Sequence, residues 1–363
     1  MAQNINPTLF PEEVGKYFRP MLEALKAENE KEENKTRIFQ QLLDRTPTGT
    51  LDWTSSDIAG KIGMADVVAM NSTIPLKQRR SVALAKGDIP KLGASVRFEE
   101  RDLKRLFGLA SIPGVGGEQL AKEVLSNVPE VVRAVLDRIE AMTLQMLSEG
   151  QILIADDKTQ GLGVRADFGI PEGNHIKVTN KWSTTKATPV TDIRTILEKV
   201  DDETNEIQAI VLDKSTFNKL RASQEGKEMV AGFRGTPVGG AGSPSQMIDA
   251  LEDEFGIKFI VISRSTFTQE LADGKKIRVK PWKKGAVTFL PSATKIGTLY
   301  HSPLVEESKP VAGVTQGKAN EYTLVQQYSE INPYSETTMA TAFVFPVLND
   351  ATKVYLLDTE LAG

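Results

Sequence analysis

The chain has two histidines, His175 and His301, each isolated from any motif and each close to a Gly/Pro turn. A metal site needs several His, Cys or carboxylate side chains at set intervals, and neither HExxH nor any cysteine is present. Both histidines are therefore read as surface or packing residues. Gly114, Gly116 and Gly117 in IPGVGGEQ carry part of a dinucleotide-loop pattern, but Gln119 breaks it and no strand leads in. The stretch from Gly232 to Ser243 (GFRGTPVGGAGS) has the glycines of a phosphate cradle without the Lys-Ser/Thr pair that would meet phosphate and magnesium. It reads as a flexible loop. GxSxG does not occur.

Two carboxylate groups, Asp156 with Asp157 and Asp201 with Asp202 and Glu203, have the composition for acid/base or metal work. Adjacent residues on a strand point to opposite faces, so these runs are better read as charged turns. Lys275, Lys276, Lys283 and Lys284 cluster near Trp282, but the pattern does not extend into a nucleic-acid groove. No catalytic constellation emerges, and the reading is of a non-enzyme without cofactors or metal.

The composition agrees with that reading. The chain has 363 residues, Lys+Arg 44 and Asp+Glu 48, for a net charge of −4, which excludes a strongly basic nucleic-acid binder. At roughly 150 residues per domain there is room for about two domains, and 40% hydrophobic residues suffice for a core. With Cys 0 the fold relies on burial and association rather than disulfides, as suits a reducing compartment. The N-terminal MAQNINPTLFPEEV lacks the pattern of a leader, and no apolar run approaches the roughly 18 to 20 residues that span a bilayer. Neither secretion nor membrane insertion is expected.

The elements follow from periodicity. Residues 10 to 45 have helical propensity but a thin apolar face around the charged ENEKEENK, which predicts an arm that gains order on another surface, with a solvated helix pair as the plainer reading. Asp66 to Met70 and Ser81 to Ala85 flank a basic turn with Lys77, Arg79 and Arg80, predicting a hairpin without its own core. The clearest helix runs from about Glu130 to Glu149. Asn127 and Glu130 have capping-box spacing, Val131, Val132, Val135, Leu136, Ile139, Met142, Met146 and Leu147 form one stripe, and Gly150 is the stop. Strands follow at 151–155, 164–168 and 175–179. An alternating insert has helices at 190–200, 214–222 and 246–255 and strands at 207–212 and 258–263. Strands resume at 286–290, 322–328, 341–347 and 353–357.

In this order the elements resemble the major capsid proteins of tailed bacteriophages, specifically the lambda-type major head protein family within the Hong Kong 97 fold. GDIPKLGASVRF (Gly87 to Phe98) resembles the segment closing that family's extended loop, and IEAMTLQMLSEGQI (Ile139 to Ile152) its long helix passing into a strand. Trp182 followed by ATPVTDI, then VLDKSTFNKL, resembles the passage into and through the insert. TFLPSATKIGTLYHSPLVEE and the C-terminal TAFVFPVLNDATKVYLLDTE complete a likeness that covers most of the chain from about Gly87.

The resemblance implies an α+β fold with an N-terminal arm (1–57), an extended β-hairpin loop (58–98) and a peripheral domain with a spine helix (99–189). An inserted axial α/β domain (190–305) and return strands of the peripheral domain (306–363) complete it. It implies a virion protein, assembled in the host bacterial cytoplasm, that builds an icosahedral shell of pentamers and hexamers enclosing double-stranded DNA without gripping it. The implied partners are further copies of the chain, a portal, a decoration protein and a separate scaffolding protein, unless the chain has been trimmed of a scaffolding region. Lys77, Arg79 and Arg80 on the loop, with Glu99 and Glu100 as acidic counterparts, are the candidate subunit contacts. Lys61, Lys77 and Lys86 lie where some relatives cross-link, but are read as surface lysines. The alternatives are an encapsulin-type compartment shell and a soluble α/β enzyme using the Gly232 loop.

Overall fold

A computed structural model describes residues 5–31, 36–59, 81–112, 117–154, 164–203, 205–270 and 274–362. The N-terminal part runs β1 (Ile5–Asn6), α1 (Pro11–Glu30), α2 (Ile38–Leu42), β2 (Leu43–Pro47), β3 (Asp52–Ala59), β4 (Ser81–Asp88) and β5 (Lys91–Phe98). Then come α3 (Glu100–Ala110), α4 (Gly117–Val124), the long α5 (Asn127–Glu149), β6 (Gln151–Ile154), β7 (Val164–Asp167) and β8 (His175–Val178). The insert contains α6 (Pro189–Asp202), β9 (Ala209–Asp213), α7 (Lys214–Ala222), α8 (Gln224–Arg234), α9 (Pro244–Phe255) and β10 (Lys258–Ile262). After it follow β11 (Phe267–Glu270), β12 (Lys276–Val279), β13 (Ala286–Leu290), β14 (Gly297–Ser302) and α10 (Val305–Ser308). The chain ends in β15 (Thr315–Lys318), β16 (Leu324–Ile331), β17 (Tyr334–Leu348) and β18 (Tyr355–Ala362).

These elements form two compact units. The first takes Met1–Asp52, Asp88–Thr143 and Leu299–Pro346. Its seven-stranded sheet has the order β1-β16-β17-β14-β2, with β15 also on β16 and β5 also on β17. α1 buries Val14, Phe18 and Leu22 on one stripe and packs on α4 and β15. Phe10 stacks on Phe107 of α3 with ring centroids 5.2 Å apart. The arm helix thus finds its apolar surface in its own chain. The plainer reading of residues 10 to 45 describes it better, because the i, i+4 row Phe10, Val14, Phe18 and Leu22 lies upstream of the charged run that dominates the segment's composition.

The second unit takes Trp53–Gly87, Leu144–Thr298 and Val347–Gly363. Its five-stranded sheet has the order β10-β9-β13-β18-β8; β9 pairs β10 and β8 pairs β18 in parallel, and β13 is antiparallel to both neighbours. α6, α7, α8 and α9 bury Ile193, Ile196, Phe217, Leu220, Met247 and Leu251 with Phe289 and Tyr355 from the sheet. Two-residue alternation is absent from β9 and β13 because every residue from Ala209 to Leu212, and from Ala286 to Leu290, is buried.

Three expectations are corrected. The return of 306–363 to the outer sheet extends only as far as β17: β18 joins the insert's sheet, pairing Leu357 with Val287 and Ile176. Sheet partnership is a choice between distant segments, and the apolar run Tyr355 to Leu357 suits either sheet. β5 also leaves the expected loop, pairing with β17 from Lys91↔Phe343 to Phe98↔Glu336. In the region of the expected loop, β3 pairs with β4; the expected strand at 66–70 lies outside the described residues.

The third correction is the N-terminal cap of α5. Asn127 is already helical, and the Val128 amide donates to the Leu125 carbonyl at 3.0 Å, so a tight turn out of α4 does the work assigned to a side chain. The other end is as expected. Gly150 takes φ +71°, its amide bonds the Met146 carbonyl at 2.9 Å, and a Cβ there would stand 2.7 Å from Ile170 Cδ1. All eight apolar stripe residues of α5 are buried.

Candidate assembly surfaces

The spine helix carries one charge inside its apolar stripe. Glu140 is four residues beyond Leu136 and is buried, at 4% exposure. Its carboxylate accepts the amide of Ile38 at 2.9 Å and of Phe39 at 3.1 Å, the orphan donors at the start of α2. One turn earlier, Asp137 accepts the Arg37 guanidinium at 2.6 Å. A second buried carboxylate, Glu336 on β17, accepts the Thr8 hydroxyl at 2.5 Å and the Leu9 amide at 3.0 Å. Beside it the Ser329 hydroxyl donates to the Pro7 carbonyl at 2.6 Å. The arm is thus pinned at two places by carboxylates of its own unit. A charge at a position where the period demands an apolar residue is the signal that finds Glu140 in the sequence.

Burial pushes the Glu140 carboxyl above its ordinary value, against the pull of the two amides and of Arg37. Burial does the same to Glu336, against the Leu9 amide and the Thr8 hydroxyl. Both groups hold protons more tightly folded than unfolded. Their contribution is therefore fully present below the ordinary carboxylate value and is lost as pH rises through the raised values. Protection of arm amides against hydrogen exchange, corrected for intrinsic rates, is expected to rise as pH falls from neutrality toward the ordinary carboxylate value. Glu140→Gln with Glu336→Gln should flatten that slope; a wild-type arm whose protection is flat over the range would sink the assignment.

Of the sequence-derived contact residues, Lys77, Arg79 and Arg80 lie outside the described residues, as does Lys61. Glu99 and Glu100 are both exposed at the head of α3, where Glu99 flanks the helix and Glu100 opens it. Negative charge there complements the helix dipole. Lys86 is exposed on β4.

Of the residues weighed for chemistry, Gly114, Gly116, Asp156 and Asp157 lie outside the described residues. His301, 8% exposed, lies 5.7 Å from the Tyr322 ring, and burial lowers its pKa. His175 is an exposed residue of β8. Glu203 accepts the Tyr355 hydroxyl, which also accepts from Asn205 at 2.8 Å; burial pushes the phenol up to about 12. Lys283 pairs with Asp358 at 2.8 Å, Lys284 with Glu360 at 3.4 Å, and Lys219 also meets Glu360, so these cations bind β18. Lys219 holds the Glu360 carboxyl below its ordinary value. The Trp182 indole donates to Asp192 at 2.8 Å, tying the insert's approach to α6, while burial raises that carboxyl. The glycine loop begins with Gly235 at φ 62°, closing α8, and ends at Ser243, which forms a capping box with Gln246 on α9. Among the described residues no His, Cys, Asp or Glu group has metal-holding geometry, and no helix is long and apolar enough to cross a membrane.

What these two units share with known proteins settles their purpose. The family model for phage major capsid protein E matches residues 23–351. The chain belongs to that family. As a phage major capsid protein it is a structural component of the virion that self-assembles into a shell, and it is not an enzyme. No curated protein matches the sequence. Two solved structures show the fold: a phage-related protein of Bordetella bronchiseptica RB50 superposes with TM-score 0.52 at 14% identity, over 100% of each chain. A capsid protein of an E. coli CFT073 prophage superposes with TM-score 0.57 at 13% identity, over 93% of this chain and 98% of that one. The α+β capsid fold, of the Hong Kong 97 type read from the sequence, stands.

Proposed function

We propose that this capsid protein assembles as pentamers and hexamers into an icosahedral shell enclosing double-stranded DNA, built in the cytoplasm of the bacterial host. The observation that carries the reading is the family match over residues 23–351. A separate scaffolding protein, a portal and a decoration protein are the proposed partners. The proposed division is an arm, an extended loop, a peripheral domain on the spine helix and an axial domain, with β18 counted with the axial sheet and β5 with the peripheral one.

Within that shell, Lys77, Arg79 and Arg80 of one copy are proposed to lie against Glu99 and Glu100 of a neighbour. The exposure of both glutamates at the first turn of α3 supports this. Purified protein supplied with scaffold should give capsomers or shells in negative-stain micrographs and light scattering; a stable monomer under all such conditions would overturn the reading. Arg79→Glu/Arg80→Glu should lower assembly yield at low salt and recover partly at moderate salt. An exposed pair contributes only about 0 to 1 kcal/mol, but the contact recurs in every copy and is screened over roughly 8 to 10 Å. Unchanged yield at low salt would refute the docking role, and a destabilised free subunit would place the arginines in an intrachain contact.

A further inference from the structure

The second unit segregates its charge. β11 and β12 form a two-stranded hairpin in which Thr268 faces Arg278 and Glu270 faces Lys276. Directly opposed residues share a face, and so do residues two apart on one strand. Lys276 and Arg278 therefore line one side and Lys280 follows directly after the strand, all three exposed, while Phe267, Ile277 and Val279 take the other side. Among the described residues of the hairpin, the carboxylate on that side is Glu270, 3.9 Å from Lys276. In a chain of net charge −4, this is a local reversal of sign.

The same unit holds a groove of opposite character beside α6, α8 and α9. Glu225, Glu228, Asp253 and Glu254 line it against one cation, Arg194. Arg194 is committed to Glu254 at 2.7 Å, and Glu225 accepts the amides of Val190 and Thr191 at 2.8 and 3.1 Å. Glu228 and Asp253 are exposed on its rims. Phe233, 48% exposed, offers an apolar wall against which the aliphatic stems of lysine and arginine can lie.

We propose that the Lys276/Arg278/Lys280 face of one copy docks in the Glu228/Asp253 groove of the next copy around a capsomer. The proposal rests on the shell reading above. Charge complementarity selects the occupant: each copy carries one donor patch and one different acceptor patch, the head-to-tail kind of contact that makes a ring when its rotation closes. A nucleic acid would satisfy the hairpin but leave the acidic groove without a purpose.

The test uses the full chain. Hairpin reversal (Arg278→Glu/Lys280→Glu) and groove reversal (Glu228→Lys/Asp253→Lys) should each lower the association constant per contact by roughly tenfold or more, read as loss of rings in mass photometry and micrographs. Combining all four substitutions should restore rings. An equimolar mixture of the two reversed proteins should restore six-membered rings but not five-membered ones, since oppositely altered copies must alternate and only an even ring permits that. Circular dichroism and thermal unfolding should match wild type; if a reversed protein does not fold, Arg278→Gln/Lys280→Gln with Glu228→Gln/Asp253→Asn gives the same reading through weakened rings. Wild-type assembly by either reversed protein, or no recovery on combination, would overturn the docking alone. So would a hairpin reversal that reduces only DNA retention, which would assign the face to nucleic acid. Failure of wild-type protein to form any ring would overturn the shell reading as well.

Discussion

Glu140→Ala should free the second anchor of the N-terminal arm. The side chain is buried and supplies the acceptors for the Ile38 and Phe39 amides, and alanine supplies none. Each buried donor left without a partner costs about 1 to 3 kcal/mol, so the two together should cost roughly 2 to 6 kcal/mol. The Arg37 to Asp137 pair at 2.6 Å remains and limits the damage to this segment. Exchange of the Ile38 and Phe39 amides should accelerate by about 30-fold or more, since 1.4 kcal/mol is tenfold. Glu140→Gln, which keeps one acceptor and the volume, should fall between the two. If exchange at Ile38 and Phe39 is unchanged in Glu140→Ala, the carboxylate does not hold the arm, and the segment is fixed by apolar packing of Ile38, Phe39 and Leu42 alone.

Gly226→Ala should break the corner between α7 and α8. Gly226 donates its amide to the Ser223 hydroxyl at 3.0 Å, and a Cβ at its position would overlap the carbonyl oxygen of Leu220. A backbone atom cannot rotate out of the way, so the corner must open, pulling Leu220 and Val230 from the core that also holds Met247. It would also shift Glu225, which caps α6. Overpacking of this kind costs typically 1 to 3 kcal/mol, and a backbone clash belongs at or above the upper end. Gly232 in the same helix provides the control: a Cβ there meets nothing within 4 Å. Gly232→Ala should be neutral or stabilising by up to about 1 kcal/mol, as expected for replacing a helical glycine. Thermal unfolding of the two variants should therefore separate in opposite directions; equal midpoints would show that the corner yields without cost.

The elements legible in the sequence were those specified by neighbours in the chain. α7 over 214–222 and β13 over 286–290 match the periodicity reading residue for residue, and α9 and β10 differ at their ends by one or two residues. The stripe and glycine stop of α5 were equally plain. In each case the deciding contacts lie within a few residues: an apolar period, a helix stop, a turn.

What the sequence by itself determined was therefore the order and type of its most strongly patterned elements, and through that order the likeness to phage capsid proteins, which the family match bears out. Only the tertiary structure decided who partners whom. It placed β18 beside β13 rather than with the outer strands, gave Glu140 and Glu336 to the arm, and spent Lys283 and Lys284 on Asp358 and Glu360. These choices join residues from 66 positions apart, as Phe289 and Tyr355, to more than 300, as Leu9 and Glu336. No local period encodes them, because the free energy that selects one partner is realised only when two distant surfaces lose water together.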